Sequence, residues 1–248
     1  MTRLYYIQHL KPNMLFPLTR ETLEQIIPII ATGPQYGYYW GKWSDLLRRL
    51  LISVVALTIT WLVGNLFGPG GFTIKIILDI IAGLYWLWCP VYLASIKNNI
   101  YRRIPYSGFW RGRVLDAFIT DELVSEEETV NQRGDLVIIE NMEKRINLLV
   151  GDQSGFKVTV QAPLRRIYKG IRPGVVAELL VLSKQPDLET ISKITDVYLP
   201  QQNLWVGEYP YLRRDVFMQV SQELGGTGKS STKERRPGSY IVKRKRRN

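Results

Sequence analysis

Residues 65–79 read NLFGPGGFTIKIILD. An apolar run ends, a Gly-Pro-Gly-Gly cluster intervenes, and a second apolar run begins that carries Lys75 and Asp79 four residues apart. Two readings compete. A phosphate-cradling loop follows a short strand and opens an amphipathic helix. A reversal between two apolar helices needs only residues that break a helix and turn tightly, as Gly and Pro do. The flanks favour the second. Residues 50–67 hold no charge in 18 positions, and residues 76–96 hold one, Asp79, in 21. Helices of these lengths rise about 27 and about 31 Å, close to the thickness of a bilayer core. A buried helix of a globular core usually keeps a polar stripe, and neither run has one. The expectation is a two-span membrane hairpin over residues 47–98, tipped by Gly68, Pro69, Gly70 and Gly71.

The flanks also set the orientation. Lys42, Arg48 and Arg49 precede the first run, Lys97, Arg102 and Arg103 follow the second, and the tip offers only Lys75. The positive-inside rule then places both termini on the cytoplasmic or stromal side. No cleavable signal peptide is expected, because the first apolar run starts only at residue 50. Lys75 and Asp79, spaced i,i+4, share a helix face and form a candidate intramembrane polar pair. The structural reading has Lys75 snorkelling to the interface and screening Asp79. The functional reading, an ion or proton relay, would need an oligomer to enclose a path. Trp86 and Trp88 read as interfacial anchors, and Pro90 as the site of a kink.

Composition bounds the chemistry. The chain has 248 residues, one cysteine (Cys89), one histidine (His9) and a formal charge of +11. A lone Cys excludes an internal disulfide, and with one distant His it makes no conventional zinc site. No catalytic cluster surrounds His9, and the acids of the second half show no paired-carboxylate spacing. No enzyme, cofactor or metal is therefore expected. The charge sits at one end. Residues 225–248 hold nine basic side chains and one acid, a net +8. The GGTGKS that opens this segment resembles the end of a phosphate-binding loop, but the glycine required earlier is Glu223. A disordered basic tail is expected there. Its Lys243, Arg244, Lys245, Arg246 and Arg247 are candidate contacts for an anionic surface, with lipid favoured over nucleic acid.

The remaining segments follow from periodicity. Residues 1–46 form an N-terminal segment in which LTRETLEQIIPIIA, residues 18–31, reads as a short amphipathic helix. Thr19 stands at its start and Leu23, Ile26, Ile27 and Ile30 on one face. Tyr36, Tyr38, Tyr39, Trp40 and Trp43 then form an aromatic approach to the first span and, with Trp86 and Trp88, candidate partner contacts. Residues 99–224 alternate short β-prone runs with Gly, Asp, Asn and Pro turns. GDQSG reads as a hairpin turn, Pro173-Gly174 as another, and Glu126, Glu127 and Glu128 as a solvated loop. Residues 209–224 carry apolar positions at helical spacing. The expected fold class is thus a membrane α-helical hairpin plus a cytoplasmic, mainly-β domain, a small barrel or open sandwich closed by a C-terminal helix.

The stretches GPQYGYYWGKWSDLLRR and IRPGVVAELLVLS, with this order of elements, resemble a poorly characterised family of two-helix membrane proteins from cyanobacteria and plastids. The layout is also similar to a photosystem I assembly factor. The resemblance covers residues from about 30 to 224, carries over no catalytic residue, and implies a thylakoid location and a part in assembling a photosynthetic complex. The functional expectation is a non-enzymatic assembly or scaffold factor whose partners are membrane lipids and other integral membrane proteins. The alternative is a small-solute or ion transporter subunit acting as a homo-oligomer.

Overall fold

The computed structural model describes residues 5–6, 14–41, 43–64, 72–130 and 136–230. The chain divides into two compact units, Met1–Arg213 and Arg214–Asn248.

In the first unit, two short strands, β1 (Tyr5–Tyr6) and β2 (Leu15–Leu18), precede helix α1 (Arg20–Ile26). Thr19 caps α1 as its sequence suggests, its hydroxyl accepting the Thr22 N–H at 3.2 Å. Leu23, Ile26 and Ile27 are buried as expected, whereas Ile30 is exposed. The aromatic approach coils into a helix, α2 (Gly33–Trp40), with Pro34 in its first turn.

The next helix, α3 (Trp43–Gly64), is the one continuous helix among the described residues that is long and apolar enough to cross a membrane. The second apolar run departs from expectation. It forms α4 (Phe72–Gly83) and α5 (Tyr85–Arg102), which are bent by 73° at the intervening residue. Pro90 lies inside α5 and does not end it. With 12 residues, α4 rises only about 18 Å, well short of a bilayer core. The two-span hairpin is therefore overturned. The break is stabilised locally. The Trp86 N–H, freed at the start of α5, donates to the Ser53 hydroxyl at 3.3 Å, and Trp88 Nε1 donates to the Ile81 carbonyl at 2.9 Å. Both bonds satisfy backbone groups that the bend would leave unpaired.

The β region is a single nine-stranded antiparallel sheet rather than a small barrel or sandwich. Its strands are β1, β2, β3 (Tyr106–Val130), β4 (Leu136–Gly151), β5 (Lys157–Pro163), β6 (Val176–Ser183), β7 (Thr190–Ile194), β8 (Val197–Leu199) and β9 (Leu204–Val206). The main order is β1-β7-β6-β3-β4-β5, with β2 on β3, β8 on β6 and β9 on β8. Alternation along β5 buries Val158, Val160 and Ala162 against Trp110, Leu148, Leu179 and Val181. The GDQSG turn is present. Asp152 Oδ1 accepts the Ser154 N–H at 2.8 Å, its Oδ2 accepts Trp110 Nε1 at 2.9 Å, and Gly155 takes φ +101°. The turn at Gly174, φ +91°, also stands as expected. Glu126, Glu127 and Glu128 are not in a loop. They belong to β3, which pairs with β4 from Arg113↔Gly151 out to Val130↔Leu136.

The second unit contains helix α6 (Arg214–Ser230), which begins after the expected start and runs through GGTGKS. On that helix Gln219 Nε2 donates to Glu223 Oε1 at 3.1 Å.

Candidate functional site

The most distinctive surface is the apolar one on α3 and α4. Leu51, Val54, Val55, Ile59 and Leu62 of α3, and Phe72, Ile74 and Ile77 of α4, are all exposed. Only 11% of the most apolar window of α3 is buried. A contiguous apolar surface of this kind needs a non-aqueous environment or a partner. Thr58, Thr60, Lys75 and Asp79, polar groups within it, are satisfied internally. The Thr58 hydroxyl donates to the Val54 carbonyl at 3.0 Å. Lys75 Nζ pairs with Asp79 Oδ2 at 3.6 Å, and the Thr60 hydroxyl donates to Asp79 Oδ1 at 2.6 Å. The candidate polar pair therefore joins α4 to α3. The stem of Lys75 lies along Gly64, where a Cβ would meet its Cδ at 2.5 Å.

An aromatic and cationic collar bounds this surface. Arg49 is buried, donates to the Asp45 carbonyl at 3.1 Å and to the Trp40 carbonyl, and lies 5.7 Å from the centre of the Trp40 ring. Trp40 meets Trp86 edge-on at 6.1 Å and Tyr36 at 5.4 Å, and the Tyr36 hydroxyl donates to the Leu87 carbonyl at 3.3 Å. Trp88 meets Tyr85 and Tyr92 of α5 edge-on, at 5.2 and 6.0 Å between ring centres. Trp43 stands exposed at the start of α3. Indole rings and an arginine with its stem on apolar surface are the chemistry of a membrane interface.

Tyr38 and Tyr39, expected in the same group, lie elsewhere. Their rings surround Lys97 of α5 together with Tyr209 and Tyr211, with Nζ 4.2 Å from the Tyr209 ring centre and 5.3 Å from that of Tyr38. Burial pushes the Lys97 amine below the ordinary lysine range and the Tyr209 and Tyr211 hydroxyls above theirs. Next to this cluster, Gln35 of α2 and Asn98 of α5 exchange amide hydrogen bonds at 2.9 and 3.0 Å. Gln35 Nε2 also donates to the Pro210 carbonyl at 2.9 Å. This seam joins α2 and α5 to the segment after β9. Lone Gln, Asn and Lys residues carry no periodic signal, and residues 209–213, expected as the first turn of the C-terminal helix, precede it instead.

Replacing Gln35 by leucine leaves the buried Asn98 amide without its partner and should lower stability by about 1–3 kcal/mol. Thermal unfolding checks this, and a Gln35→Leu/Asn98→Leu double variant should recover part of the loss.

Lys243, Arg244, Lys245, Arg246 and Arg247 lie outside the described residues, as do the tip glycines, Lys42 and His9. A model described as a family of unknown function (DUF8619) matches residues 16–234. No curated protein and no solved structure matches the chain.

Proposed function

The chain belongs to the DUF8619 family, and since that family has no known function to transfer, we propose from the residues themselves that it is a non-enzymatic, membrane-anchored scaffold or assembly factor. The observation that carries this reading is α3, whose apolar length is exposed and ends on the collar of Trp40, Arg49 and Trp86. The helix enters the bilayer and the collar lies at the headgroup level. Because the Gln35–Asn98 seam holds α2 to α5, both flanks of the apolar region lie on one side of it, and Arg48, Arg49, Arg102 and Arg103 favour the cytoplasmic or stromal side for those flanks and the sheet. The sheet then presents its surface to other proteins of a membrane complex. A thylakoid location is proposed on the resemblance alone.

The Lys75–Asp79 pair supports a scaffold over a transporter, because Asp79 is held by both Lys75 and Thr60. A transport pathway needs polar groups facing a cavity. The test is gentle solubilisation of native membranes followed by native separation. The chain should migrate within a larger assembly, and a Lys75→Ala/Asp79→Asn variant should keep that migration. Migration alone, together with an ion flux in proteoliposomes that the double variant abolishes, would replace the scaffold with a transporter.

A further inference from the structure

Beyond their pairing with the rest of the sheet, β3 and β4 continue together as a two-stranded ribbon. β6 leaves β3 at Arg113, and β5 leaves β4 at Arg145. From there to Val130↔Leu136, among the described residues, each strand has only the other as neighbour. A lone two-stranded ribbon is marginal in water, so its surface chemistry shows what it is built to meet.

One face of the ribbon is the outward extension of the core. In β4, Ile146, Leu148 and Val150 are buried at alternate positions. The same alternation carried outward reaches Met142, Ile138 and Leu136, while Ile119 and Leu123 stand opposite Ile146 and Met142 on β3. These five are uncovered: Ile119 is 52% exposed, Leu123 47%, Met142 55%, Ile138 60% and Leu136 75%. The core face of the sheet thus runs past the end of the core.

The charge on this ribbon is opposite to that of the chain. Residues 121–144 contain eight acids and two bases, a net −6 in a chain of +11. On the apolar face Glu126 stands directly opposite Glu140, and on the other face Glu122 stands opposite Glu143. Like charges directly opposite destabilise a strand pair. Arg145 relieves Glu122 at 3.5 Å, but among the described residues no cation pairs with Glu126 or Glu140. Such charges also guard open strand edges against self-association. They exclude two classes of occupant as well, since anionic lipid and nucleic acid would both be repelled.

We infer that the β3–β4 ribbon is the docking arm for a partner protein whose surface is basic with an apolar centre. The apolar row seats the centre, and the partner's cations relieve the Glu126–Glu140 pair. The inference rests on the scaffold reading only in taking the occupant to be a protein. Its test needs no membrane, so the two can fail separately.

The experiment uses the full chain in non-ionic detergent micelles and a fluorescent ten-residue peptide that alternates lysine and valine. Fluorescence anisotropy should show saturable binding. Glu126→Gln/Glu128→Gln/Glu140→Gln should raise the Kd at least tenfold, and so should Leu136→Ser/Ile138→Ser. Glu189→Gln, on an exposed turn outside the arm, should leave it unchanged. A peptide alternating glutamate and valine should not bind. Circular dichroism confirms that each variant keeps the sheet. Three results would overturn the inference: no loss in either arm variant, equal binding of a lysine–serine peptide, or self-association of the chain that the arm variants abolish. The last would assign the face to a second copy.

Discussion

Val55→Arg/Ile59→Arg should release the protein from membranes. The two residues are four apart in the middle of α3 and both are exposed, so the arginines would share one face. Each arginine near the centre of a membrane-inserted helix costs about 3 kcal/mol of insertion, so the pair costs about 6 kcal/mol. That is enough to reverse the partition of a single anchoring helix. After an alkaline carbonate wash, the parent chain should stay in the membrane pellet and the variant should leave it. Val55→Leu/Ile59→Leu should behave as the parent. If the arginine variant remains in the pellet as fully as the parent, α3 is not in the bilayer, and its apolar surface is covered by protein instead.

Arg111→Met should lower folding stability by about 3–5 kcal/mol, the cost of leaving a buried charge without its partner. Arg111 of β3 and Glu178 of β6 are register partners in the sheet. Glu178 is 1% exposed, and its Oε1 accepts Arg111 Nε at 2.7 Å and Nη2 at 2.6 Å. Methionine keeps much of the volume and removes both donors. Glu178 would then be left buried beside the ring of Tyr198, its register partner on β8. Denaturant unfolding followed by tryptophan fluorescence gives the difference. Arg111→Met/Glu178→Leu should recover most of the loss, because removing both partners removes the uncompensated charge. A loss below about 1 kcal/mol in the single variant would mean that the pair is screened by water as a surface pair is.

The candidate site was unevenly legible. Tyr36, Trp40 and Trp86 stand out in the sequence as aromatics near the ends of apolar runs, and they do meet. Tyr38 and Tyr39 carry the same signal but turn to Lys97, because α2 is a helix and its rings point to different sides. An extended approach and a helix have the same composition. The Gln35–Asn98 pair joins positions 63 apart in sequence, and nothing local marks either residue. At Glu126, Glu127 and Glu128 the sequence reads as a loop, because three consecutive acids suppress the strand signal. The long register with β4, and not local propensity, makes them strand.

The sequence alone determined what depends on near neighbours and on composition. The Thr19 start of α1, the turns at Gly155 and Gly174, the apolar length of α3 and the β character of the second half all follow from side-chain chemistry within a few residues. Tertiary structure decided what depends on distant partners. An apolar run of 21 residues looks like one span by composition. Whether it stays straight depends on whether something catches the backbone groups at a break. Here Ser53 of α3 and the folded-back Trp88 indole do so, and the run bends by 73°. Likewise, β-prone runs leave the number of sheets open. Pairing between strands far apart in sequence made a single nine-stranded sheet and carried two of its strands out beyond the core.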